Sequence, residues 1–203
     1  MEINTEYLLP VNNYTPIETI KEQIVLGNTF NSNMRHVKGW LHRYNGNYKK
    51  TASFTISKNG EIHQHFEPKY YSRILDSEKQ NKKSIVILLE NEGWLLKDDK
   101  KNQFITWLGD IYNLDGVNTK KWRDYEYWTP YTEKQIESIV SLIISLCDEF
   151  NIPKLVINHN TKIDNLDDFK GILSKSNLNK NYTDLSPSWD FSVFINKIEN
   201  IIV

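Results

Sequence analysis

Residues 84–91 run Ser-Ile-Val-Ile-Leu-Leu-Glu-Asn, and the apolar block Ile85 to Leu89 decides the fold class. A strand with one wet face alternates apolar and polar side chains. Here both parities are apolar, which predicts a strand covered on both sides. Such a strand needs helices packed on either face of its sheet, so the chain is assigned to the α/β class.

The neighbouring segments extend that reading. Upstream, Gln23 to Leu26 is a second short apolar run, closed by Gly27-Asn28, and reads as another buried strand. From Asn33 to Tyr44, Met34, Val37 and Leu41 recur at helical spacing with Arg and Lys between them. Ala52 to Ser57 alternates, Lys58-Asn59-Gly60 supplies a turn, and Glu61 to Phe66 alternates back, which predicts a hairpin. Downstream, Phe104 to Tyr112 is expected to form a short helix. The clearest helix starts at Thr132, where Thr132 and Gln135 make a capping-box pattern. Ile136, Val140, Ile143, Cys147 and Phe150 then share one stripe. Asn151-Ile152-Pro153 stops it, and Leu155 to Ile157 is expected as a buried strand. A polar excursion follows from Asn160 to Tyr182, in which Lys175 reads as part of a solvated loop. A last helix is expected from about Trp189 to Ile198. The sum is one domain over residues 1–203, a mixed central β-sheet flanked by helices.

Composition narrows the function classes. The 203 residues carry 25 Lys and Arg against 26 Asp and Glu, a formal net charge of -1. That balance argues against a nucleic-acid partner, which needs a basic surface to displace counterions, and against anionic membranes. A neutral glycan or peptide suits it better. The single cysteine allows no internal disulfide, and Cys147 falls on an apolar helix face. No apolar run reaches the roughly 20 residues of a membrane span. Met1 to Pro10 lacks a basic region followed by an apolar run, so no secretory signal is expected there. The expectation is a protein cytoplasmic where made, acting in a host cytoplasm or in a virion.

Four segments carry a family resemblance. Ile24-Val25-Leu26-Gly27-Asn28-Thr29 is similar to a first strand I-V-I-H-x-T, and Ala52 to Ile62 with Gln64 to a hairpin S-A-H-F-x-I…D-G-x-I-x-Q. Ser84 to Asn91 is similar to S-I-G-I-E-L-x-N. Ile152-Pro153 to His159, with Thr183-Asp184-Leu185-Ser186-Pro187, is similar to I-P…G-H and T-D-P-G-P. Together they resemble the zinc-dependent N-acetylmuramoyl-L-alanine amidases, relatives of phage endolysins and peptidoglycan recognition proteins, over about residues 23 to 191.

The resemblance implies a zinc held by two histidines and an aspartate or cysteine, with water in the fourth position. It also implies a glutamate that moves the water's proton. Carried onto this chain, His159 takes the second histidine's place and Asp184 the third ligand's. Gly27 stands where the first histidine belongs, Leu88 where the catalytic glutamate belongs, and Ser53 where the hairpin carries a histidine. The interval from His159 to Asp184 is longer than the resemblance leads one to expect. The expectation is an amidase-like fold with a degenerate zinc site, binding peptidoglycan or serving as a structural part of a phage particle with virion protein partners. An active zinc amidase with a recruited histidine (His63, His65 or His36) and a purely structural assembly protein are the alternatives.

The remaining candidates each have a plain alternative. His159 fits metal ligation or a strand-end hydrogen-bond network, and Asp184 fits ligation or a turn. His63 and His65 point to one face of their strand and are expected to face solvent, as are His36 and His42 on their helix. Trp122 to Tyr131 is the densest aromatic cluster, with Trp122, Tyr127 and Trp128 as candidate groove residues for a sugar ring and packing as the other use.

Overall fold

The computed structural model describes residues 1–113 and 116–200. Residues 114–115 and 201–203, and the side chains of Asn33, Met34 and Asn200, lie outside the described residues.

The five-stranded sheet has the order β3 (Ile62–Gln64), β2 (Phe54–Ile56), β4 (Ser84–Leu89), β1 (Gln23–Asn28) and β9 (Gly171–Ser174). Its centre is β4 (Ser84–Leu89), buried along its whole length as the two-sided pattern requires. It is flanked in parallel by β1 (Gln23–Asn28) and by β2 (Phe54–Ile56), which turns antiparallel into β3 (Ile62–Gln64). Side-chain alternation sorts two cores. Ile24, Leu26, Ile85, Ile87, Phe54 and Ile56 face α3 (Glu133–Phe150) and α5 (Phe191–Asn200). Val25, Val86 and Leu88 face Val37 and Trp40 of α1 (Asn33–His42). Both ends of the capping box on α3 are made, and Cys147 is buried on its stripe as expected.

A second sheet, order β6-β5-β8-β7, interrupts the chain between β4 and α3. Its strands are β5 (Trp94–Asp98), β6 (Gln103–Thr106), β7 (Asn118–Trp122) and β8 (Tyr125–Trp128). The helix expected at Phe104 to Tyr112 is therefore a strand and a turn. Leu96 pairs with Ile105 and Lys97 with Phe104, so ladder bonds to β5 override a pattern that suited a helix equally well.

The strand expected at Leu155 to Ile157 is only a bridge, Val156 to Ile172. The sheet is completed instead by β9 (Gly171–Ser174), parallel to β1 with Leu173 opposite Val25 and Ser174 opposite Leu26. Gly171 has φ 137, and a Cβ there would stand 2.3 Å from the Leu155 carbonyl oxygen. Only glycine lets the two segments approach so closely. A one-turn helix, α4 (Lys175–Leu178), follows β9 directly, and a short helix, α2 (Glu78–Lys83), leads into β4.

Candidate functional site

The C-terminal ends of parallel strands are where open α/β sheets place their sites. Here β1 and β4 end with Gly27 opposite Leu88, and Thr55 of β2 lies beyond Leu88. The three share the face that α1 covers.

Asp184 reaches this point on the loop before α5. Ser176 N–H donates to its backbone carbonyl at 3.0 Å, tying the loop to α4. The carboxylate is wholly buried, and Oδ1 accepts from Asn28 N–H at 2.5 Å. Oδ2 has no hydrogen-bond partner, and the nearest cation is Lys175 Nζ at 3.7 Å. Burial pushes the Asp184 carboxyl above the usual range, while Lys175 and the Asn28 N–H pull the other way. Asn28 Oδ1 accepts from Tyr131 Oη at 2.9 Å, and that hydroxyl, pushed up to about 12 by burial, accepts from Ser186 N–H.

Lys175 is the residue that sequence reasoning missed. It is not solvated: only 8% of it is exposed. It follows Ser174 directly, so it sits at the end of the strand beside Gly27. Its Cδ would stand 2.6 Å from a Cβ built on Gly27, so its stem fills the space a first-strand side chain would use. Its ammonium lies 4.3 Å from the centre of the Tyr182 ring, whose hydroxyl donates to Asp76 Oδ1 at 2.9 Å. The signal was spacing. Lys175 precedes Asp184 by nine residues, whereas His159 precedes it by 25.

The structure thus brings Gly27, Leu88 and Asp184 together, with Lys175 among them. It holds the His159 ring at the surface, where Nδ1 accepts from Thr161 N–H at 3.3 Å. Its backbone is tied inward, its carbonyl accepting from Asn177 Nδ2 at 2.8 Å. Leu88 is 1% exposed and belongs to the apolar cluster of Val37 and Trp40. Glu90 is turned to the hairpin, where Oε2 accepts from Lys58 N–H at 2.9 Å.

The histidines expected at the surface are mostly inside. His65 is fully buried; Nδ1 donates to the Tyr7 carbonyl at 3.0 Å, which leaves Nε2 to accept from the Thr55 hydroxyl at 2.9 Å. His63 is buried beside Ser57, its Nε2 3.1 Å from Ser57 Oγ. Trp40 of α1 covers His65 and Tyr7 of the N-terminal segment packs beside His63, which is why an outward reading of that face failed. His36 and His65 pack edge-on against Trp40, at ring separations of 4.8 and 5.3 Å. Burial first, then Arg43 and Lys175, lower His36 to about 3; burial lowers His65 to about 4. His42 is exposed, as expected.

Of the aromatic candidates, Trp128 is completely buried, its Nε1 donating to the Lys120 carbonyl at 2.8 Å, so it offers no face to a ligand. Trp122 and Tyr127 are half-buried, with Trp122 under the Arg123 guanidinium at 4.5 Å and Tyr127 against Phe104. Among the described residues, no three His, Cys, Asp or Glu side chains converge in a metal-holding group. No described helix is long and apolar enough to cross a membrane.

Comparison with known proteins gives the same architecture. The sequence model of a family described as N-acetylmuramoyl-L-alanine amidase matches residues 16–184. No curated protein matches the sequence. Among solved structures, the catalytic domain of XlyA is similar with a TM-score of 0.58 at 15% identity, covering 98% of this chain and 99% of that one. PlyL is similar at 0.56 and 14%, covering 98% and 97%. The Escherichia coli amidase AmiD, solved with the substrate anhydro-N-acetylmuramic acid-L-Ala-D-gamma-Glu-L-Lys, is similar at 0.55 and 13%, covering 90% of this chain and 59% of that one. At these identities the likeness is one of fold.

Proposed function

Since the chain belongs to the N-acetylmuramoyl-L-alanine amidase family, we propose that it keeps the family's fold to bind peptidoglycan and has exchanged the zinc centre for an internal ion pair. The observation that carries this is Lys175: its stem fills the space above Gly27 and its ammonium faces the Asp184 carboxylate.

The donor set does not suit zinc. Gly27 offers no ligand atom, an ammonium has no lone pair to give, and Asp184 alone is too little for a site that needs three protein ligands. Even a metal-activated water would lack its proton acceptor, because Leu88 stands at the glutamate position. A lysine and a metal ion are both cations, so the buried aspartate keeps a positive neighbour while the Lewis acid is gone. His159, exposed, and His36 and His65, committed to Trp40 and the backbone, support no replacement ligand set.

The test is metal content on protein purified without chelator, run beside stem-peptide release from purified peptidoglycan and co-sedimentation with it. The expected result is co-sedimentation with neither stoichiometric zinc nor release. About one zinc per chain together with cleavage would restore the active amidase. Absence of co-sedimentation would favour a structural part of a phage particle, a reading supported by exposed Leu96, Trp107 and Ile111 on or beside the second sheet.

A further inference from the structure

Between Gln23 and Gly60 the chain has no Asp or Glu and six Lys or Arg. The near-neutral net charge hides this asymmetry. In the fold, part of that stretch meets the segment around Arg73 to line an open cavity of about 740 Å³, whose walls include Arg43, Tyr44, Tyr48, Lys49, Lys50 and Arg73. No carboxylate lines it, and among the described residues none of these four cations has an ion-pair partner.

The surface is held in shape. Tyr44 and Asn45 both adopt left-handed backbone (φ 51 and 53), which carries the Tyr44 ring out to 78% exposure. Side chains rarely tolerate two such residues in succession. Tyr44 nevertheless stacks on Tyr48 at 5.9 Å and 10°, and the Arg43 guanidinium lies 5.3 Å from the Tyr48 ring centre. Fully buried Asn13 fixes the Tyr48 carbonyl through Nδ2 at 2.9 Å, and Arg73 N–H donates to the Lys49 carbonyl at 2.7 Å.

We propose that this basic, tyrosine-faced hollow binds an anionic, phosphodiester-linked polymer of the cell wall, its phosphates on the four cations and its sugar or polyol units on the Tyr44 ring. The choice of partner rests on the wall-binding reading; the site itself is separate from the Lys175–Asp184 centre. Guanidinium groups pair with phosphate in a fork, and an exposed aromatic face supplies the apolar platform between charges. Four cations match a short run of phosphates, whereas a nucleic-acid duplex demands a broader basic surface than a chain of net charge -1 offers. Arg43 also acts on His36, as Lys175 does, so the positive field extends toward the candidate site.

The experiment is co-sedimentation with purified walls that retain their phosphodiester polymer and with the same walls stripped of it by hydrofluoric acid. Compared are the wild type, R43E/K50E, Y44A, and K120E/K121E, which makes the same charge change on exposed β7. Expected is about ten-fold stronger retention on polymer-bearing walls, weakening with salt, lost in R43E/K50E, reduced in Y44A and kept in K120E/K121E. Equal retention on both walls, untouched by R43E/K50E, would overturn the inference and leave peptidoglycan binding standing. Retention only on polymer-bearing walls would support it and remove peptidoglycan as the ligand. Retention on neither, or loss in both charge-reversal variants alike, would overturn it. So would a wall-independent shift of a DNA duplex abolished by R43E/K50E.

Discussion

Lys175 Nζ and Asp184 Oδ2 stand 3.7 Å apart at the end of β1, with 10% and 0% of their side chains exposed. An aspartate carried that deep needs a cation, and this one comes from the chain itself.

Removing that cation is therefore costly. Lys175→Met leaves the Asp184 charge buried with backbone N–H groups but no cation beside it, and a loss of about 3–5 kcal/mol is expected in urea unfolding at neutral pH. Lys175→Met with Asp184→Asn should recover most of it. The pH dependence has a definite sign. Burial raises the Asp184 carboxyl above its unfolded value, so in that interval the folded chain binds the extra proton and stability rises as pH falls. Without Lys175 the rise should be steeper, and a flat difference between variant and wild type would count against the pair.

Gly27 is as much a part of this arrangement as the charges. A Cβ at this position would lie 2.6 Å from Lys175 Cδ and 2.9 Å from Leu88 Cδ2. Gly27→Ala should cost about 1–3 kcal/mol by overpacking, and less in a Lys175→Ala background. Replacing both positions, Gly27→His with Lys175→His, should create zinc affinity measurable by calorimetry while peptidoglycan cleavage stays absent, because Leu88 moves no proton. Zinc binding by the wild type as tight as by the double variant would refute the reading that Lys175 and Gly27 occupy the place of a metal site.

His65 makes stability fall in acid. Above its ordinary value of 6.5 it is neutral in both states. Below that, the unfolded chain takes a proton that the folded chain refuses until about 4. Over that window the wild type should lose about 1.4 kcal/mol per pH unit more than His65→Gln, which keeps a donor for Tyr7 but does not titrate. Parallel stability curves for the two proteins would rule out a neutral buried His65.

The α3 cap is a separate, local prediction. Thr132 accepts from Gln135 N–H at 3.1 Å and donates to the Lys58 carbonyl at 2.6 Å, joining the helix to the hairpin. Thr132→Ala should lower stability by about 0.5–2 kcal/mol in thermal or urea unfolding. Retention on walls should stay at the wild-type level at temperatures where both remain folded.

Local chemistry sufficed for much of the molecule. The two-sided apolar block of β4, the Asn59-Gly60 turn between β2 and β3, and the Thr132–Gln135 box each depend on neighbours within a few residues, and each is present in the fold. The absence of side-chain chemistry at Gly27 and Leu88 was equally legible once the family resemblance marked those positions. What lay beyond reach depends on partners distant in the chain. Whether 155–157 or 171–174 would join β1 was settled by tertiary pairing and by the close approach that Gly171 permits. Phe104 to Tyr112 became strand and turn because β5 was there to pair with. His63 and His65 were buried because Tyr7 and Trp40, both distant in the chain, pack against them. Lys175 reads as a solvated lysine in sequence, and only the register of β9 against β1 sets it over Gly27, where desolvation makes it the counter-ion of Asp184.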